Sequence, residues 1–128
     1  MASKYTLYKL GGTISAAGTI EAYSNSVARG KIETVLIDRP AGNVAVKLST
    51  EGVVSEEFVD LATGNTDVAI YPRRQVTDKA NTDLNLSNDG TAVTKLVEKY
   101  AVFGRLKLEC SAGTAGQSVS VGVIVEEY

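Results

Sequence analysis

Period-two alternation dominates this chain, and it is clearest between Tyr100 and Tyr128. Leu106, Leu108 and Cys110 alternate with Arg105, Lys107 and Glu109. Val119, Val121, Val123 and Val125 alternate with Ser118, Ser120, Gly122 and Ile124. Successive side chains of a strand point to opposite faces, so each run has one buried face and one wetter face. The small stretch Ala112–Gly116 contains glycines that permit positive φ and a tight reversal. The spacing predicts an antiparallel hairpin near the core.

The same pattern recurs upstream. Tyr5, Leu7 and Lys9 alternate with Lys4, Thr6 and Tyr8, and Gly11-Gly12 interrupts them. Residues 1–17 read as a first strand or an N-terminal arm. Thr13–Tyr23 is small and light, suited to a weak strand pair or to an arm that orders on a neighbour. Lys31–Asp38 is rich in β-branched residues and predicts a strand. Arg39–Asn43 predicts a turn, because Pro40 fixes φ while Gly42 and Asn43 tolerate positive φ. Val44–Ser49 then reads as the returning strand of a second hairpin. Val53–Leu61 fits either one helical turn or an irregular strand, and its β-branched content favours the strand. Asp67–Pro72 reads as a short strand with Val68 and Ile70 inward, ended or placed at an edge by Pro72. Arg73–Gly90 reads as a long polar loop, and such loops are usually functional or contact-making. Strand character resumes over Thr91–Val102. With seven to nine short strands and no amphipathic helix of ten residues, the expected fold is all-β, an antiparallel β-sandwich or small barrel. Residues 18–128 are expected to form a single β-sandwich domain.

Composition narrows the function. With 128 residues and 44% hydrophobic content, the chain is long enough to bury a core. A formal net charge of −2 offers no basic excess for nucleic acid. No apolar run approaches the roughly 20 residues that span a bilayer, so no membrane role is expected. Met1–Lys9 lacks a signal-peptide apolar core, which places synthesis in a cytoplasm without export by that route. Cys110, the single cysteine, falls on an apolar face and reads as a small buried hydrophobe. There is no histidine. Ser-His and Cys-His pairs and imidazole bases are therefore excluded, and an enzyme is not expected.

Candidate chemistry is sparse. Asp83–Gly90 offers oxygen ligands at alternating positions, but an EF-hand loop starting at Asp83 needs glutamate where Thr94 stands. No metal or other cofactor is expected. Glu56-Glu57 and Glu126-Glu127 are adjacent on strands, so their side chains diverge. The remaining candidates are contact residues. Arg73 and Arg74, with Lys79 nearby, suit carboxylate or phosphate partners. Tyr5, Tyr8 and Tyr23 lie towards one terminus, and tyrosine is enriched at protein interfaces.

The order of elements also resembles a known class. A light Thr/Ser/Gly/Ala-rich N-terminus leads into Gly30-Lys31-Ile32. Thr63-Gly64-Asn65-Thr66-Asp67 leads into Tyr71-Pro72-Arg73. After the polar loop come Tyr100-Ala101-Val102-Phe103-Gly104-Arg105-Leu106-Lys107 and a valine-rich strand. Over residues 18–128 this resembles small virion structural proteins of tailed bacteriophages, of the head decoration (cement) type. The resemblance implies a β-sandwich without catalytic residues. It implies a homo-oligomer, commonly a trimer, that binds the major capsid protein on the capsid surface after assembly in the host cytoplasm. A tail-tube or neck subunit is the nearest alternative, and a carbohydrate- or receptor-binding β-sandwich module a second. The decoration reading carries the expectation that removing residues 1–17 abolishes attachment to capsids while leaving the domain folded.

Overall fold

The computed structural model describes residues 4–51, 55–75, 85–88, 92–95 and 97–127. These residues contain twelve strands and no helix. In chain order they are β1 (Lys4–Thr13), β2 (Ile20–Tyr23), β3 (Ala28–Asp38), β4 (Val44–Glu51), β5 (Glu57–Gly64) and β6 (Val68–Ile70). They continue with β7 (Arg73–Gln75), β8 (Asn85–Asn88), β9 (Ala92–Lys95), β10 (Val97–Lys99), β11 (Ala101–Ser111) and β12 (Ser118–Glu127). The all-β antiparallel expectation holds, in its sandwich form.

Eight strands build two facing layers. One layer runs β1–β12–β3–β6 and the other β2–β11–β4–β5, all antiparallel. The layers join at a corner where residues 28–31 of β3 pair with 101–104 of β11. Gly30 (φ 137°) and Gly104 (φ 156°) stand at this corner in backbone conformations that a Cβ disfavours. A Cβ on Gly30 would also run into the Glu126 carbonyl of β12. Beyond the corner β11 leaves β3 and pairs with β2 on one side and β4 on the other.

The alternating apolar sets of β4, β11 and β12 point between the layers. Val119, Val121, Val123 and Val125 of β12 share one core with Val44, Val46 and Leu48 of β4 and with Leu106, Leu108 and Cys110 of β11. Cys110 is buried, and loss of water pushes its thiol up to about 11, so it behaves as the small hydrophobe expected. Burying a leucine side chain contributes about 2 kcal/mol, so the core is the main stabilising term.

Two hairpins expected from the sequence are not formed. β11 and β12 do not pair; they lie in opposite layers, as do β3 and β4. Alternation reports which face is buried, not which strand lies alongside. The turn-rich segments 112–117 and 39–43 instead carry the chain across the core, and 14–19 does the same between β1 and β2. These three crossings interlock at one end of the sandwich. Gly113 N donates to Gly18 O (3.0 Å), Ile14 N to Gln117 O (2.7 Å), and Gly42 N to Gln117 Oε1 (3.1 Å). Consecutive strands pair elsewhere, as β4 with β5 and β8 with β9.

Residues 57–64 form the irregular strand expected for that region. Its register against β4 shifts twice, and one shift leaves both Phe58 and Val59 buried. The first segment is a strand, one of its two expected forms. β1 pairs with β12 over ten residues, and Tyr8, Leu10 and Ile14 belong to the core. Residues 4–14 of that segment therefore belong to the sheet and core of the sandwich. The stretch expected as a polar loop, 73–90, contains β7, paired with β10, and β8, paired with β9. Its remaining residues, Lys79 among them, lie outside the described residues.

Arg39, expected in a turn, is buried and holds that turn to the β5–β6 connection. Its guanidinium donates to the carbonyls of Thr66 (2.8 Å), Ala62 (2.9 Å) and Val44 (3.3 Å), and its backbone N–H to Asp67 Oδ1 (3.0 Å). Five donors in a rigid fork suit such a set of carbonyls.

Candidate interaction face

The two outward faces of the sandwich differ in chemistry. On the β2–β11–β4–β5 layer the rows read Glu21–Glu109–Lys47–Asp60 and Tyr23–Lys107–Ser49–Glu57. Lys107 Nζ lies 3.8 Å from Glu21 and 3.4 Å from Glu109, and Arg105 lies 4.0 Å from Glu51. The Glu109 carboxylate beside it raises the Lys107 pKa. Such a chequerboard is satisfied by itself and by water, with each exposed pair contributing little.

The β1–β12–β3–β6 layer presents apolar rows instead. One row is Leu7–Ile124–Thr34, and the next is Lys9–Gly122–Leu36–Ala69. Leu7 is 49% exposed and Leu36 45%. Gly122 has no side chain, which lowers the floor between them; a Cβ there would stand 3.0 Å from Leu7 Cδ1. The result is a shallow groove of about 680 Å³ across the four strands, bordered by Lys9, Ser120, Asp38 and Asp67. Asp38 and Asp67 adjoin each other, and the Asp67 carboxylate raises the Asp38 pKa through a shared hydrogen bond and charge repulsion.

A charge cluster closes the opposite end of this face. β3 carries one extra residue against β12, and that residue is Glu33. The bulge turns the Glu33 carboxylate to meet the Lys99 ammonium of β10 and Arg73 of β7 (3.9 Å). Lys99 also lies 3.9 Å from Glu126, whose carboxylate accepts a hydrogen bond from Tyr5 Oη (3.0 Å). Lys99 holds the Glu33 pKa below the ordinary carboxylate range.

The expected contact residues divide among several environments. Tyr5 and Arg73 belong to this charge cluster. Tyr8 points inward, and its hydroxyl donates to Glu127; burial, then that bond, pushes its pKa up to about 12. Glu126 and Glu127 thus serve opposite faces, as adjacent strand residues must. Tyr23 lies on the other layer, with its hydroxyl on Glu21 (2.7 Å) and the Arg105 guanidinium 4.9 Å from its ring. Arg74 pairs with Glu56 (3.5 Å) and Glu98 (3.7 Å). Both arginines therefore tie β7 and β10 to the domain, where the sequence pointed to contacts between subunits. Lys79 and residues 83, 84, 89 and 90 of the Asp83–Gly90 segment lie outside the described residues. Among those residues no group of three or more acidic or thiol side chains could hold a metal.

The apolar face itself went unread in the sequence, although a signal existed. Val35-Leu36-Ile37 and Val123-Ile124-Val125 are apolar on both faces of their strands. A run apolar on both faces marks a sheet covered on both sides. Comparison with protein families, characterised proteins and solved structures finds no match to this chain.

Proposed function

We propose that this chain is a structural protein of a tailed-phage virion that decorates and stabilises the capsid through contacts with the major capsid protein and with copies of itself. The observation that supports this reading is the asymmetry between the two outward faces. One is rich in paired charges, and the other is an aliphatic groove, four strands wide. A groove lined by leucine, alanine and glycine suits a protein surface. Sugar platforms stack on aromatic rings, which this groove lacks. A coat protein also gains from many weak symmetric contacts, because multivalency multiplies modest interfaces.

The test is sedimentation of the purified protein with undecorated capsids. Co-sedimentation at a fixed stoichiometry, with measurable stiffening of the shell against heat, is the expected result. Assembly into tubes or rings without capsid binding would replace this reading with the tail one. Binding to an array of glycans but not to capsids would replace it with the receptor-binding one.

A further inference from the structure

We infer that the groove of the β1–β12–β3–β6 layer is the contact between two copies of this chain, stacked face to face about a two-fold axis parallel to the strands. This deepens the proposed function by naming the partner of the groove, and it rests on that reading for its biological purpose alone.

The charges around the groove are complementary from one side to the other. Lys9 stands on β1 at one side of the groove and makes no ion pair within 4 Å among the described residues. Asp38 and Asp67 stand at the other side with one another for company. Lys9 shares a cross-strand row with Ala69, and Asp67 is two residues from Ala69 on the same face. The offset along the strand is therefore about 7 Å and the separation across three strand spacings about 14 Å. Within one chain these charges are too far apart to pair.

A two-fold axis running between β12 and β3 reverses left and right without changing position along the strand. It sets the β1 side of one copy over the β6 side of the other. Each Lys9 then faces the acidic pair of the second copy, twice per dimer, and a lysine side chain spans the remaining offset. The same operation lays Leu36 of each copy over the low floor at Gly122 of the other, and Leu7 over the β6 side. An axis in the sheet plane but across the strands would instead set β1 on β1 and oppose lysine to lysine. The face measures roughly 600 Å² from four strand widths and ten residues of rise. That approaches the roughly 800 Å² per partner of a standard interface.

The test is sedimentation equilibrium of the full chain and three charge variants. Wild type is expected to be a dimer, Lys9→Glu and Asp38→Lys are each expected to weaken it about tenfold or more, and the double variant carrying both changes is expected to recover. Recovery in the double variant separates a specific contact from damage to the fold, and circular dichroism of each variant checks folding directly. A wild-type monomer across the accessible concentration range would overturn the inference. So would a dimer indifferent to both single changes, or a double variant no tighter than the singles. A monomer that still binds capsids would overturn the inference and leave the decoration reading standing. A charge-sensitive dimer that ignores capsids would do the reverse.

Discussion

The two layers of this sandwich share one core and differ only in what they show outside. On the β2–β11–β4–β5 layer Lys107 pairs with Glu21 and Glu109 and Arg105 with Glu51, while Lys47 stands in a row between Glu109 and Asp60. The β1–β12–β3–β6 layer places Leu7, Leu36, Ile124 and Ala69 in adjoining rows and leaves Lys9 apart from Asp38 and Asp67. Folding requires only the inner faces to be apolar. In the proposed dimer the outer difference matches the surroundings: the charged layer faces water, and the apolar layer faces a second copy.

The comparison can be broken most severely at the frame that both layers share. Gly30→Ala introduces a Cβ at φ 137° against the Glu126 carbonyl, and a loss of about 3 kcal/mol or more is expected in urea unfolding. Arg39→Met should cost a similar amount. It strands the carbonyls of Thr66, Ala62 and Val44, each an unmet acceptor worth about 1–3 kcal/mol. Both losses should appear with either layer as the spectroscopic reporter, because the crossings interlock the two.

High pH tests the inner seam beneath the exposed face. Tyr8 and Cys110 hold their protons to about 12 and about 11 in the fold, above ordinary values of 10.0 and 9.0. Between the lower and upper values the folded state binds more protons than the unfolded chain, so stability falls as pH rises through that window. Stability is expected to be full below pH 9 and to decline as pH rises from 9 to 12. Tyr8→Phe should flatten the upper part of a pH-dependent urea titration.

Acid acts on the two ends of the apolar face with opposite signs. Lys99 depresses the Glu33 pKa and the Tyr8 hydroxyl depresses that of Glu127, so these groups contribute stability that is lost as pH falls through their depressed values. The raised Asp38 works the other way. The fold accepts its proton before the unfolded chain does, and stability gains slightly as pH falls through that value. Asp38→Asn should remove this gain and leave the acid limb from Glu33 and Glu127 in place.

The sequence carried the inner half of this structure well. The alternating apolar sets from Val44 to Leu48, Leu106 to Cys110 and Val119 to Val125 point into the core, whereas Tyr5 and Leu7 of the first strand point outward. It misassigned the partners of those strands, because a reversal at 112–117 has the same residues whether it makes a hairpin or crosses the core. It also placed contact chemistry on Arg73 and Arg74, whose charge is used internally. That use depends on the Glu33 bulge for Arg73 and on Glu56 and Glu98 for Arg74, and local spacing shows neither. The apolar outer face was legible only as two short runs, around Leu36 and Ile124, without polar alternation. Its groove appears when pairing sets Gly122 between Lys9 and Leu36.

The smallest effects on stability carry the sharpest contrast between the layers. Leu36→Glu and Lys47→Glu both change exposed positions, and each should alter unfolding free energy by about 0.5 kcal/mol or less. On association they should diverge. Leu36→Glu buries an unpaired charge in the proposed contact and should weaken it about 100-fold or more, while Lys47→Glu should leave it unchanged.

The most direct measurement is the solution mass of these two variants beside wild type, taken by sedimentation equilibrium over one concentration series. The account predicts twice the chain mass for wild type and for Lys47→Glu, and a folded monomer for Leu36→Glu. A wild type that stays monomeric, or a Leu36→Glu variant that associates as wild type does, would contradict the claim that the apolar layer is finished by protein.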